Sequence, residues 1–261
     1  MTDGGPLRIT GCVITLNEEA CIRSCLESMS LCDELVVVDA HSTDATRDIA
    51  ASLGARVIER DWPGYRSQKQ FAVEAASHDW VLILDADEQL SPALAAEVAA
   101  LRVKGPGNFA AFDVPRLSRY FGRYLRHGDF YPDRQIRLFD RRRARFAGLE
   151  VHERVAVDGR LGRLRGDILH DSFRDLNDQL AKRTTYARLM AEQQHARGKR
   201  GSWFGVFFNP LWRFLRSYVF RLGFLEGWRG LAGALIAAKY VREKHLRLLI
   251  LDRVARESRR R

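Results

Sequence analysis

Three carboxylates fall within four residues, at Asp85, Asp87 and Glu88, directly after the apolar run 81–84. In an extended segment, side chains two apart point the same way, so Asp85 and Asp87 would share a face. Two such carboxylates repel unless a cation sits between them, and hard oxygen ligands suit Mg2+ or Mn2+. A divalent ion held there could grip a diphosphate. The plainer alternative is a solvated strand end. Two further polar strand ends favour chemistry: Asn17-Glu18-Glu19 after the apolar run 9–16, and Asp39 after 35–38.

Those residues need a scaffold that brings them together. Residues 9–16, 35–38, 56–60 and 81–84 read as short buried strands. Helical patterns stand between and after them. Ile22, Leu26 and Met29 repeat at helical spacing, 65–76 is helical in pattern, and Ser91-Pro92 caps a helix carrying Leu94, Val98 and Leu101. Alternating strand and helix through residue 104 predicts a mostly parallel, doubly wound α/β sheet, whose strand carboxyl ends gather on one edge. Strands are expected again at 109–114, 135–139, 150–157 and 163–169, followed by a helix capped by Asp175. The expected organisation is one domain over 1–200, made of two halves (1–104 and 105–200), and a basic helical tail over 201–261.

The chain carries a formal net charge of +10, unevenly spread. Residues 181–261 hold 19 Lys and Arg against 5 Asp and Glu, whereas residues 1–180 hold 24 against 28. Within 203–224, Trp, Phe and Leu are punctuated by Arg213, Arg216 and Arg221. Rings that enter a headgroup layer and cations that meet anionic lipid are what an interfacial helix needs, so an anionic membrane surface is the expected partner. Packing on protein is the alternative. No uncharged stretch is long enough to span a bilayer, and no basic segment with an apolar core opens the chain. Cys12, Cys21, Cys25 and Cys32 lack paired Cys-x-x-Cys spacing, so reduced thiols of a cytoplasmic protein are expected rather than a zinc site.

Neither a Gly-x-Gly-x-x-Gly after the first strand nor a Gly-Lys-Ser/Thr loop is present, which removes dinucleotide and P-loop readings. The runs 14–19, 36–46 and 84–88 resemble family 2 glycosyltransferases of the GT-A fold. Arg137-Leu138-Phe139-Asp140, Val151-His152-Glu153 and the segment 221–230 resemble one subgroup, the bacterial lipopolysaccharide-core β-1,4-glucosyltransferases. The resemblance implies an inverting transferase using a nucleotide sugar (UDP-glucose as first choice) and a divalent cation. It implies a lipid-linked or lipopolysaccharide-core acceptor at the inner face of the cytoplasmic membrane. Asp39 and Glu18 would line the nucleotide pocket, and Asp87, with Asp85 directly or through water, would bind the metal. His170, or else His152, would complete the metal shell. Lys69 would neutralise phosphate or be an exposed helix cation, although Gln70 stands where relatives carry Asn. Inversion needs a base opposite the leaving group; Glu153 is the choice and Asp129 the runner-up. The rival readings are a nucleotidyltransferase, and a non-catalytic membrane- or nucleic-acid-binding protein. No RNA or DNA motif accompanies the basic tail, so nucleic acid is not an expected partner.

Overall fold

A computed structural model describes residues 5–149, 152–171 and 176–258. The expected cap at Asp175, residues 150–151 and the tip 259–261 lie outside the described residues. The first half runs β1 (Ile9–Thr15), α1 (Ile22–Ser28), β2 (Glu34–Asp39), α2 (Thr46–Ser52), β3 (Arg56–Glu59), α3 (Tyr65–Ala75), β4 (Trp80–Asp85), β5 (Glu88–Leu90) and α4 (Pro92–Lys104). Then come β6 (Phe109–Tyr120), β7 (Arg123–Tyr124), β8 (Asp133–Asp140), β9 (Ala144–Leu149), β10 (His152–Val157), β11 (Arg160–Arg163) and β12 (Ile168–His170). The chain ends in α5 (Leu176–Ala196), α6 (Trp203–Leu215) and α7 (Trp228–Ser258).

The contacts divide the chain into two compact units. The first comprises residues up to Leu117 together with Asp133–His170. Its sheet has the order β3-β2-β1-β4-β8-β6-β12-β5. β3, β2, β1 and β4 are parallel, and β8 then runs antiparallel to both β4 and β6. Every residue of β1 is buried, as befits a parallel strand covered by helices on both faces, and its two threonines bond to Glu34 and Asp39. Gly11 permits this packing, because a Cβ there would stand 2.7 Å from the Met29 methyl and 2.8 Å from Leu35. Ser91 caps α4 as expected, its Oγ accepting from Leu94 N at 3.2 Å. The hairpin β9–β10 packs on α3, where Phe146, Val155 and Val157 join Ala72 and Val73.

The second unit comprises Ser118–Pro132 and the chain from Asp171 onward. The division by packing thus differs from the expected boundary at residue 200, because α5 packs against α7. Asp129 holds Arg213 and Arg221 at 2.9 and 3.0 Å. Glu226 accepts from His127 N and Arg126 N, at 3.1 and 2.8 Å. Among the described residues, no helix is long and apolar enough to cross a membrane.

Candidate active site

The strand register sets the site. Thr15 pairs with Asp39 and Ile14 with Asp85, so both acids stand at the carboxyl edge of neighbouring parallel strands, with β1 between them. Two strand spacings separate their backbones, about 10 Å. The loops after β1 and β2 are laced together on this rim. Asn17 N donates to Ser42 Oγ (2.8 Å) and Thr43 N to Asn17 Oδ1 (2.8 Å). Glu18 N donates to Thr46 Oγ1 (2.8 Å) and Ala45 N to Glu19 Oε2 (3.1 Å). Asn17 adopts φ 57°, a left-handed turn that Asn tolerates better than most residues.

Asp39 is the anchor of this lacing. It is 0% exposed and accepts from Ser42 N (2.7 Å), Ser42 Oγ (2.5 Å) and Thr15 Oγ1 (2.8 Å). With three donors already engaged, its carboxylate shapes the loop in this structure. Glu18, half-buried, lies on the same rim, with one carboxylate oxygen 3.1 Å from Cys21 Sγ.

The acidic motif is arranged differently from the expectation. The chain turns at Ala86 and Asp87 between β4 and β5, so side chains two apart do not share a face here. Asp85 turns to two cations: its Oδ1 is 2.7 Å from Lys69 Nζ and its Oδ2 is 2.8 Å from Arg137 Nη2. Asp87, 33% exposed at its side chain, faces His170, with 3.4 Å between Oδ2 and Nε2. β12 delivers that histidine by pairing with β5, in the register His170 to Glu88.

Behind the motif runs a ladder of alternating charge. Glu153 Oε1 meets Lys69 Nζ at 2.8 Å, and Lys69 in turn meets Asp85. Arg137 bridges Asp85 to Glu88 (2.6 Å), and Arg116 bridges Glu88 (3.3 Å) to Asp133 (2.5 Å). Seven charged groups thereby form one chain with a single excess negative charge. Lys69 is buried rather than an exposed helix cation, and Glu88 is 0% exposed. Burial alone would raise the Asp85 carboxyl, but the Lys69 ammonium and Arg137 guanidinium hold it well below the usual carboxylate range. Burial would likewise lower Lys69, yet Asp85 offsets it and, against the opposing charge of Arg137, Glu153 adds to the upward shift. Arg137 Nε is buried without an acceptor among the described residues, so the ladder is not saturated as it stands.

Several of these residues escaped the sequence reading. Glu88, Arg116 and Arg137 were not assigned site roles, and Asp133 was not singled out. Their partners are strands away, and only the antiparallel insertion of β8 and β6 brings the arginines to β4. Gln70 explains its own departure from the family pattern: its Oε1 accepts from Phe146 N (2.9 Å) and its Nε2 donates to Glu74 (2.8 Å), fastening α3 to the β9–β10 hairpin. That attachment is what brings Glu153 to Lys69. Asp129 belongs to the second unit, where the two arginines occupy it. The side chain of His152 lies outside the described residues.

A divalent cation fits part of this set. Among the described residues no three His, Cys, Asp or Glu side chains converge as a metal cluster. Asp87 and His170 do offer a carboxylate oxygen and an imidazole nitrogen 3.4 Å apart. Neighbouring ligands of an octahedral ion bound at about 2.1 Å are roughly 3 Å apart. Mg2+ and Mn2+ sites commonly take one or two protein ligands and leave the remaining positions to water and substrate phosphate. Asp85 is already engaged by Lys69 and Arg137.

The sequence profile described as Glycosyl transferase family 2 matches residues 11–158, which include the whole acidic motif and Glu153. The chain belongs to glycosyltransferase family 2. It is 32% identical over 253 residues to the lipopolysaccharide core biosynthesis glycosyltransferase LpsC of Rhizobium meliloti, covering 92% of this chain and 93% of that protein. An uncharacterized glycosyltransferase of Rickettsia typhi is 33% identical over 257 residues, covering 94% of this chain and 88% of the relative. Among solved structures, this glycosyltransferase superposes on a mannosyltransferase from Pyrobaculum calidifontis in complex with GDP-Man and Mn2+. The TM-score is 0.55 at 15% identity, over 94% of this chain and 87% of the other. That likeness shows the GT-A fold that the family resemblance implies.

Proposed function

We propose that this family 2 enzyme moves a hexose, glucose by preference, from a UDP-sugar to a lipopolysaccharide-core or other lipid-linked glycan acceptor, with inversion at the anomeric carbon. The carrying observation is the paired arrangement of Asp87 with His170 and of Glu153 with Lys69 on either side of Asp85. The name of LpsC supports a lipopolysaccharide-core acceptor. An acceptor anchored in lipid supports action at the inner face of the cytoplasmic membrane, with the enzyme attached peripherally.

Asp87 and His170 would hold the divalent cation, and Asp85 would reach it through water. The ion supplies neutralisation of the charge that develops on the departing diphosphate. The protein's own groups do the rest. The rim laced by Asp39, Ser42 and Asn17, with Glu18 beside it, receives the nucleotide. Glu153 takes the proton from the acceptor hydroxyl as its oxygen bonds to the anomeric carbon and the bond from that carbon to the phosphate oxygen breaks. Lys69 fixes one oxygen of Glu153 and one of Asp85, and so orients the base.

The test is a screen of nucleotide sugars for hydrolysis with Mn2+ or Mg2+ added. Metal-dependent release of UDP is expected, and Asp87→Ala should abolish it in a protein that still unfolds cooperatively. Normal turnover by that variant overturns the metal assignment. Release of pyrophosphate would instead mark a nucleotidyltransferase, and failure to bind any nucleotide sugar would mark a non-catalytic scaffold. In the same assay with acceptor, Glu153→Gln should bind donor and lose transfer by about 10²- to 10⁴-fold. Unchanged transfer would overturn the assignment of Glu153 as the base.

A further inference from the structure

α6 reverses the usual arrangement: its most apolar face, rich in rings, is turned to solvent, and its one charged residue pairs on the opposite side. At about 100° per residue, Trp203, Phe204, Phe207, Phe208, Leu211 and Trp212 fall within one half of the helix surface. Phe204, Phe207, Phe208 and Trp212 are each more than half exposed. The opposite half buries Gly205, Val206 and Pro210, and carries Arg213 to Asp129 at 2.9 Å. The apolar surface continues past the helix: Phe220 lies 5.6 Å from Trp212, centroid to centroid, and Phe224, Leu225 and Trp228 are all exposed. Monomeric soluble proteins rarely leave so large a contiguous apolar patch to water.

We infer that this face enters the headgroup layer of an anionic phospholipid leaflet. The rim of the patch decides the occupant. A tryptophan stands at each end, and each has an arginine over its ring: Arg253 lies 5.7 Å from the centroid of Trp203 and Arg229 lies 4.7 Å from that of Trp228. Trp with a flanking cation is the composition of a membrane–water boundary, the ring at headgroup depth and the charge on lipid phosphate. Charge favours lipid over a second copy of the chain. Residues 181–261 hold 19 Lys and Arg against 5 Asp and Glu, so two such faces would bring like charges together, whereas an anionic leaflet neutralises them. Insertion is shallow, because no described helix can cross the bilayer. The inference deepens the membrane part of the proposed function, and rests on it only for which side of the membrane is met.

Co-sedimentation of the full chain with vesicles tests it. One set is phosphatidylcholine alone and the other contains phosphatidylglycerol as well. Binding is expected to the anionic vesicles, and to fall as salt rises. Each of Phe207→Ser, Phe208→Ser and Trp212→Ser should weaken it about tenfold, since each ring loses apolar area that lipid would bury. Arg253→Gln should weaken binding to anionic vesicles only. Donor hydrolysis, measured on the same preparations, should stay unchanged in all four variants, so loss of docking is told apart from failure of the catalytic reading. Absence of vesicle binding overturns the inference. So does a concentration-dependent dimer that the serine variants dissociate while binding to vesicles persists.

Discussion

The two units depart from ordinary burial in different ways. In the first, Lys69, Asp85, Glu88 and Arg137 are drawn into the interior or its edge, each facing an opposite charge within 2.8 Å. In the second, α6 turns its aromatic rings outward and its arginine inward. A chain folding for stability alone would do neither. Buried ion pairs recover little beyond their desolvation cost, and exposed rings forgo the stabilisation of burial. Under the proposed function and the inferred docking, both departures would meet a ligand that changes the balance: a polyanionic donor beside the ladder, and a lipid surface over the rings.

That contrast is most directly broken at Arg137. Arg137→Met leaves Asp85 to Lys69 and the fully buried Glu88 to Arg116 at 3.3 Å, so the four carboxylates of the ladder face two cations and the excess negative charge doubles. The expected loss is about 3–5 kcal/mol, read as a fall in the urea midpoint at unchanged m-value. A loss under about 1 kcal/mol would mean that the ladder carries no such uncompensated charge.

Asp85 should give a smaller effect with a distinct signature. Asp85→Asn leaves Lys69 with Glu153 and Arg137 with Glu88, so no cation is stranded. The Asp85 carboxyl is held below its ordinary value in the folded protein. Its contribution is therefore complete above the unfolded value, about 3.9, and is lost as pH falls through that value toward the folded one. The wild-type protein should lose stability on acidification below about pH 5 more steeply than the variant. Parallel curves of urea midpoint against pH would remove Asp85 from the acid response.

How much of this was readable beforehand follows from the same physics. The parallel half was legible because buried strands are short apolar runs and their helices carry caps such as Ser91-Pro92. The acidic motif was legible by residue type, yet its geometry was not: the period of two holds only in extended chain, and the turn at Ala86-Asp87 sends Asp85 and Asp87 to different partners. Glu153 and Lys69 were each picked out from sequence, but their ion pair spans 84 positions and depends on a hairpin half-hidden behind the arginine-rich turn 141–143. The short strands β5, β7 and β9 carried no alternation strong enough to announce them, and the expected strand 163–169 divides into β11 and β12. For α6 the composition was plain, but which side each ring takes could be settled only by what the other side packs against.

The smallest expected effect sharpens the contrast from the other unit. Phe208 is exposed, and its ring stacks only against its own helix neighbour Phe204, at 4.6 Å between centroids, among the ring contacts described. Phe208→Ser removes a large apolar side chain, which in a core would cost about 3–5 kcal/mol. Here there is no cavity to leave and little buried area to lose, so the change in stability without lipid should stay within about 0.5 kcal/mol. Equal urea midpoints for the variant and the wild type would show that the ring contributes nothing to the fold in water. A fall of several kcal/mol would instead place the ring in a packed interface, most simply a second copy of the chain, and the outward face would then belong to an oligomer.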